Sequence, residues 1–289
     1  MKAIYLKELR SYFHTPIGYV FVAMMLLVMG FYYTMYSMYY QAADYYYVLD
    51  SCTIIIMFCF PVLTMRIFAE ERRQKTDQLL MTSPVGTGSV VVGKFLAAET
   101  VFLIGILISL LQPLTTIVFF NGSMTAGMTV GGYVAFFLLG SLFIAIGMFI
   151  SALTENQLVA AILTIAVFMV LSLSNGLYVV FPTSRYFSLA FIFVLLLLGA
   201  GLVYYFVRDL GMAGLALLGA SIVLMVVLFL WPQAFDSLVP TLFQNLSVFD
   251  RYGDIFSGLL EVKHLVFFAS VTAFFLFMTN LVVEKARWA

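Results

Sequence analysis

Charge is what this chain has least of. Only 10% of its 289 residues are Asp, Glu, Lys or Arg, and fourteen of each sign cancel to a net charge of zero. That leaves no basic footprint for nucleic acid. Cysteine and histidine are scarcer still, two of each. Cys52 and Cys59 fall in one apolar run, about 10 Å apart along a helix axis, too far for a disulfide. His14 and His264 are expected on opposite sides of a membrane, so these four residues assemble no ordinary metal site. No Gly-x-x-x-x-Gly-Lys-Ser/Thr phosphate loop occurs, so the chain does not bind ATP in that manner. Gly219-Ala220-Ser221 has the small-residue setting of an intramembrane protease, but no histidine is placed to activate the serine. Ala216, Ala220 and Ser221 fit close helix packing better.

What is abundant is apolar surface: 64% hydrophobic residues, with 30 Phe and 17 Tyr, and a mean hydropathy of +1.09. A hydrocarbon core of about 30 Å needs roughly 20 apolar residues in helical conformation. Such runs recur at 17–38, 51–69, 93–120, 130–152, 157–181, 187–207, 211–231 and 264–283. The unbroken apolar run 191–201 excludes the alternating pattern of a β-barrel. The expectation is an all-α polytopic membrane protein of about eight transmembrane helices, residues 1–289 forming a single transmembrane domain. The sixth and seventh runs, separated by little more than Arg208 and Asp209, form a hairpin within 186–232.

Basic residues orient the chain. With the N-terminus inside, Lys2, Lys7, Arg10, Arg66, Arg72, Arg73, Lys75, Lys94, Arg208, Lys285 and Arg287 are cytoplasmic, against Arg185, Arg251 and Lys263 outside. The positive-inside rule favours this arrangement, with both termini cytoplasmic. A cleaved signal peptide is not expected, because Glu8 interrupts the basic leader.

Three polar segments stand out. In 1–15, Tyr5, Leu6, Leu9, Tyr12 and Phe13 share one helical arc, with Lys7, Glu8, Arg10, Ser11 and His14 on the other, the pattern of an interfacial helix. Pro16 then turns the chain into the first span. Segment 70–92 opens with a charged run in which Glu71/Lys75 and Arg73/Asp77 have i,i+4 spacing, continues through Leu79, Leu80 and Met81, and breaks at Thr82-Ser83-Pro84. A docking helix with an apolar tip and an ordinary solvated loop both fit that pattern. In 239–263, Leu242, Leu246, Phe249, Tyr252, Phe256, Leu259 and Leu260 recur at helical spacing around Asp250, Arg251 and Asp254, as in a helix lying on the outer membrane face.

Within the spans, Pro61 and Gln112-Pro113 are points of bending. Glu99 requires a partner, for which Lys94 or Arg66 is the candidate, or else snorkels to the interface. Together Arg66, Lys94 and Glu99 are a candidate inner gate or anchor. Ser141 with Ala145, and Gly147 with Ser151, offer small faces for close helix contact.

The order of these elements resembles the ABC-2 type transporter permeases, and among them the gliding-motility-associated, GldF-like group. KELRSYFHTPIGYV is similar to the family's leading interfacial helix. LTMRIFAEERRQKTDQLLMTSPV followed by GKFLA resembles its most recognisable segment, GMFISALTENQLVAA its turn between the fourth and fifth spans, and VEKARWA its basic tail. The likeness is strong over residues 1–181 and looser over 235–289. Family members commonly have six spans, so 186–232 is an extra hairpin.

The resemblance implies a non-catalytic permease subunit of the bacterial cytoplasmic membrane, with no cofactor or metal of its own. It implies pairing with a second permease, identical or not, and with separate ATPase subunits that hold ATP and Mg. It places Glu70, Glu71, Arg72, Arg73, Thr76, Leu79, Leu80, Thr82, Ser83 and Pro84 in the coupling segment that meets the ATPase. Export of a hydrophobic or amphipathic substrate is the leading expectation. A force-transmitting platform for an extracytoplasmic accessory protein is the alternative. A channel or secondary transporter is disfavoured, since no mid-span carboxylate chain or charged ring is visible.

Overall fold

The computed structural model describes residues 1–39, 45–75, 86–119, 126–194, 196, 211, 219, 221, 225, 228, 235–236, 238–256 and 261–288. Its elements are α1 (Lys2–His14), α2 (Pro16–Tyr33) continued by a π-helical turn (Thr34–Tyr39), α3 (Tyr46–Met57), α4 (Phe60–Thr64), α5 (Ala69–Arg73), α6 (Thr87–Ser109), α7 (Leu111–Phe119), α8 (Ala126–Leu153) and α9 (Gln157–Val180). They continue with α10 (Arg185–Val194), α11 (Leu238–Leu246), α12 (Val248–Phe256) and α13 (Val262–Trp288). No strand occurs among the described residues. Four helical stretches among them are long and apolar enough to cross a membrane: Pro16–Ser37, Thr87–Val118, Gly127–Leu153 and Val262–Arg287. Of the expected sixth span only 187–194 and 196 are among the described residues, and of the seventh only 211, 219, 221, 225 and 228.

Two compact units divide the chain, 1–172 with 251–289, and 173–250. In the first, α8 is the central helix: 78% of its membrane-spanning window is buried, against 17–39% for the other three. α3, α4, α6 and α13 all pack on it. Its neighbours meet in an aromatic core, where the Phe60 ring lies 5.1 Å from Phe102, 5.4 Å from Phe143 and 5.7 Å from Phe21, in edge or tilted geometry. Gly140 makes room for this cluster, because a Cβ there would stand 2.2 Å from the Phe102 ring. In the second unit, Arg185 holds Asp236 through two hydrogen bonds of 2.9 and 3.0 Å.

Prolines shape three junctions. Thr15 is extended before Pro16, which opens α2, as the steric demand of proline on its predecessor requires. The expected continuous span 51–69 is instead broken: α3 ends at Met57, and α4 restarts at Phe60 with Pro61 in its first turn. Proline lacks an N–H and is tolerated only there. Pro113 likewise leaves the Ser109 carbonyl without its helical donor, at the break between α6 and α7. The Tyr133 hydroxyl from α8 donates to that carbonyl at 3.2 Å. Gln112, beside it, accepts a 2.6 Å hydrogen bond from the Tyr45 hydroxyl and so joins helices.

The segment read as an interfacial helix forms the helix α1, with Glu8, read onto the polar arc, turned inward. Its inward face is fastened to the spans: the Tyr5 hydroxyl meets Thr100 Oγ1 at 3.0 Å, and the Tyr12 hydroxyl donates to the Leu63 carbonyl at 3.2 Å. Burial pushes the Tyr12 phenol well above its ordinary pKa, with Glu8 adding to the effect, so it remains a donor. The segment 239–263 forms two helices, α11 and α12, broken at Ser247, whose Oγ accepts the Asp250 N–H at 3.2 Å. Residues 257–260 lie outside the described residues.

Candidate functional site

At the end of the spans that carries α1, the chain's sparse charge is gathered around one buried ammonium. Lys94, two turns into α6, is 1% exposed. Its Nζ donates to the Ile67 carbonyl at 2.9 Å, and lies 2.9 Å from Glu71 Oε1 and 3.2 Å from Glu8 Oε1. The Phe68 ring is 5.2 Å from it, within range for a cation–π contact. A buried charge is tolerable only when paired and hydrogen-bonded, and here two carboxylates from separate segments supply the pairing. Glu8 comes from α1, and Glu71 from the short helix α5. Lys94 therefore ties α1 and the charged segment to α6.

Lys7 adds an outer link, 3.3 Å from Glu8 and 3.4 Å from Glu71, with its side chain 62% exposed. Burial lowers its affinity for a proton, but the two carboxylates together outweigh this and hold its pKa above the ordinary lysine value. Arg66 pairs with Glu70 one turn on, and Gln74 donates to the other Glu70 oxygen at 3.2 Å.

The start of α5 is held from across the fold. α5 has no side-chain cap of its own, and the first N–H groups of a helix need acceptors. Ser151 on α8 supplies one: its Oγ accepts the Phe68 and Ala69 N–H groups, each at 3.1 Å, and donates to the Met65 carbonyl at 3.0 Å. One turn earlier on α8, Gly147 lies against Thr64; a Cβ there would stand 2.2 Å from Thr64 Oγ1 and 2.8 Å from its Cβ. The Gly147/Ser151 face expected to allow close packing does so, and it also grips the turn between α4 and α5.

α5 ends after Arg73, and Lys75 has a left-handed backbone, φ 56°. The expected Glu71/Lys75 pair is therefore not made, because Lys75 has left the helix and Glu71 turns inward to Lys94. Arg72 is half-buried and Arg73 exposed. Thr76, Leu79, Leu80, Thr82, Ser83 and Pro84, with Asp77, lie outside the described residues.

Beyond Arg73 opens a cleft of about 440 Å³, lined by Arg73, Glu155, Asn156, Gln157 and Leu158. The wall is a fixed turn. Asn156 Oδ1 accepts the Leu158 N–H at 2.9 Å, and Thr154 Oγ1 accepts the Asn156 N–H at 3.2 Å. Leu158 is 70% exposed. Sequence reasoning noted this turn without assigning it a site. Its signal was an Asn cap next to a large exposed apolar residue.

Glu99 joins none of this. Neither expected partner reaches it, since Lys94 serves Glu8 and Glu71, and Arg66 serves Glu70. Nor does it snorkel: it is 8% exposed. Ser141 from α8 donates to its Oε1 at 2.5 Å, while Oε2 has no hydrogen-bond partner among the described residues. The proposed anchor trio thus divides, with Arg66 and Lys94 in the charge cluster and Glu99 in a separate contact between α6 and α8. Both cysteines are free and buried.

Compared with known families, residues 2–284 match the description ABC-2 family transporter protein. No curated protein matches the chain. Nearly complete coverage by one family, on an all-helical architecture with several apolar spans, settles the assignment: the chain belongs to the ABC-2 transporter family, the non-catalytic membrane permeases of ABC transporters, which work with a separate ABC ATPase.

Proposed function

We propose that this chain is an export permease whose segment 70–84 docks on a separate ATPase at the cytoplasmic face of the bacterial inner membrane, and that α5 transmits the resulting displacement to the spans. The observation that carries the reading is the attachment of α5 to three different helices: through Glu71 to Lys94 on α6, through Lys94 to Glu8 on α1, and through Phe68 and Ala69 to Ser151 on α8. Driving a two-state permease from 1:99 to 99:1 takes about 5.5 kcal/mol of differential binding. A freely hinged loop dissipates that preference, whereas an element bonded to the spans conveys it.

The coupling residues then divide by role. Glu71 points inward and anchors, with Arg66 and Glu70 stiffening the approach. Arg72 and Arg73, with Thr76, Leu79, Leu80, Thr82, Ser83 and Pro84, form the contact, and the cleft beside Arg73 receives part of the ATPase surface. Two permeases and two ATPase subunits assemble, with ATP and Mg held in the latter. The motif likeness at 1–181 supports placement near the gliding-motility-associated group.

The test is association of the purified permease, in lipid nanodiscs, with its ATPase. Arg72→Ala/Arg73→Ala is expected to weaken binding at least tenfold, while Lys285→Ala/Arg287→Ala, equally basic but on the last helix, leaves it unchanged. Equal binding by all three proteins contradicts the docking assignment. Substrate accumulation in inside-out vesicles separates export from the platform reading, which predicts ATP turnover with no substrate crossing.

A further inference from the structure

α1 has a second face that the attachments to the spans do not use. Its only acid, Glu8, is turned inward with a side chain 14% exposed. Lys2, Lys7, Arg10 and His14 are all exposed. On a helix of 3.6 residues per turn, Lys7, Arg10 and His14 fall within about 60° of one another, and Leu6, Leu9 and Phe13 form the adjoining strip. Leu6 is itself 38% exposed. The helix thus presents cations of one sign beside an apolar edge, with its opposite face bonded to Thr100, Leu63 and Lys94. An amphipathic helix fixed in this way to transmembrane spans lies at headgroup level.

We propose that this face of α1 binds the phosphate of an anionic phospholipid, through Lys7 and Arg10 with His14 alongside, and the acyl chains along Leu6, Leu9 and Phe13. Charge complementarity selects this occupant: juxtamembrane Lys and Arg are attracted to anionic headgroups and gain nothing comparable from zwitterionic ones. Lys7 also gives the site a consequence. Its contacts with Glu8 and Glu71, at 3.3 and 3.4 Å, are long, and its own side chain is 62% exposed, so water screens these pairs from the Lys7 side and they are weaker than those of Lys94. A lipid phosphate competes for Lys7 and, on taking it, removes one cation from Glu71, which keeps its 2.9 Å contact with Lys94. Lipid charge in the leaflet thereby sets how α1 and α5 are linked. This second step rests on the coupling role proposed for α5, whereas the binding step does not.

Lipid retention tests the binding. The purified permease is equilibrated in mixed micelles holding equal amounts of phosphatidylglycerol and phosphatidylcholine of identical chains, and retained lipid is counted by native mass spectrometry. Wild type is expected to retain phosphatidylglycerol selectively. Lys7→Gln/Arg10→Gln lowers that selectivity roughly thirtyfold, the effect of two surface charges, and Lys7→Arg/Arg10→Lys restores it. Glycerol phosphate added in excess does not compete if the acyl strip contributes; full competition shows an anion site without a lipid and overturns the assignment. Equal retention of both lipids by wild type, or undiminished selectivity in the Gln variant, also overturns it. In nanodiscs with the ATPase bound, wild-type turnover is expected to vary with phosphatidylglycerol content and the Gln variant's is not. Selective retention without any such dependence upholds the lipid site and overturns the link to α5.

Discussion

Lys94 Nζ lies 2.9 Å from Glu71 Oε1 inside the fold, although 23 residues and a change of helix separate them, and the same nitrogen lies 3.2 Å from Glu8 Oε1. Removing the cation takes a buried partner from two carboxylates of low exposure. Lys94→Met is therefore expected to destabilise the protein by about 3 kcal/mol, the scale for breaking a buried pair from one side. Lys94→Arg recovers only part of it, because a planar fork does not reproduce the donor directions of an ammonium. Thermal unfolding in a fixed detergent checks both.

Ser151→Ala deprives the Phe68 and Ala69 N–H groups of their acceptor and the Met65 carbonyl of a donor. A loss of about 1–3 kcal/mol is expected for buried groups left unsatisfied. Amide hydrogen exchange over 65–73 is expected to accelerate while exchange in the middle of α8 stays slow. Uniform acceleration throughout the protein contradicts a local grip.

Gly147→Ala sets a methyl against the branched side chain of Thr64, which has little freedom to move aside. Destabilisation of about 1–3 kcal/mol is expected, and Thr64→Ala in the same chain is expected to recover part of it. Additive losses, measured by the double-mutant cycle, show that the two residues are not opposed.

Tyr133→Phe removes the hydroxyl that serves the Ser109 carbonyl freed by Pro113. The expected cost is about 1 kcal/mol. In a Pro113→Ala background the helix regains its own donor and the same change costs less. Equal costs in both backgrounds contradict the pairing of Tyr133 with the proline break.

Much of this architecture is legible in the sequence, and the rest fails for identifiable reasons. The wheel of α1 places Tyr5 and Tyr12 on one arc, and both face inward, but it sets Glu8 on the polar arc and Leu6 on the apolar one, whereas Glu8 turns in to Lys94 and Leu6 is 38% exposed; Gly147 and Ser151 read as a close-packing face. The partner of Glu99 was misjudged on nearness in sequence. Five residues along a helix turn a side chain by about 140°, so Lys94 faces away from Glu99, and Ser141 takes its place from α8. The break in the expected span 51–69 was marked by Pro61, yet proline shows only that some carbonyl loses its donor, and the chain tightens at Phe58 and Cys59, whose N–H groups bond the Ile55 and Ile56 carbonyls three residues back. The meeting of Lys94 with Glu8 joins residues 86 apart, which no local pattern records. Glu71 looked like the partner of Lys75 because spacing assumes a continuing helix, and α5 stops first.

The central claim is that α5 is a lever anchored in the spans, and permease-dependent ATP turnover for Glu71→Gln in nanodiscs with the bound ATPase tests it most directly. Glutamine keeps the shape of the side chain and removes its charge, Lys94 keeps Glu8, and Arg72 and Arg73 still present the docking surface. The account predicts normal ATPase binding with permease-dependent turnover reduced about tenfold, a loss of about 1.4 kcal/mol in transmission. Turnover equal to wild type at equal binding contradicts it.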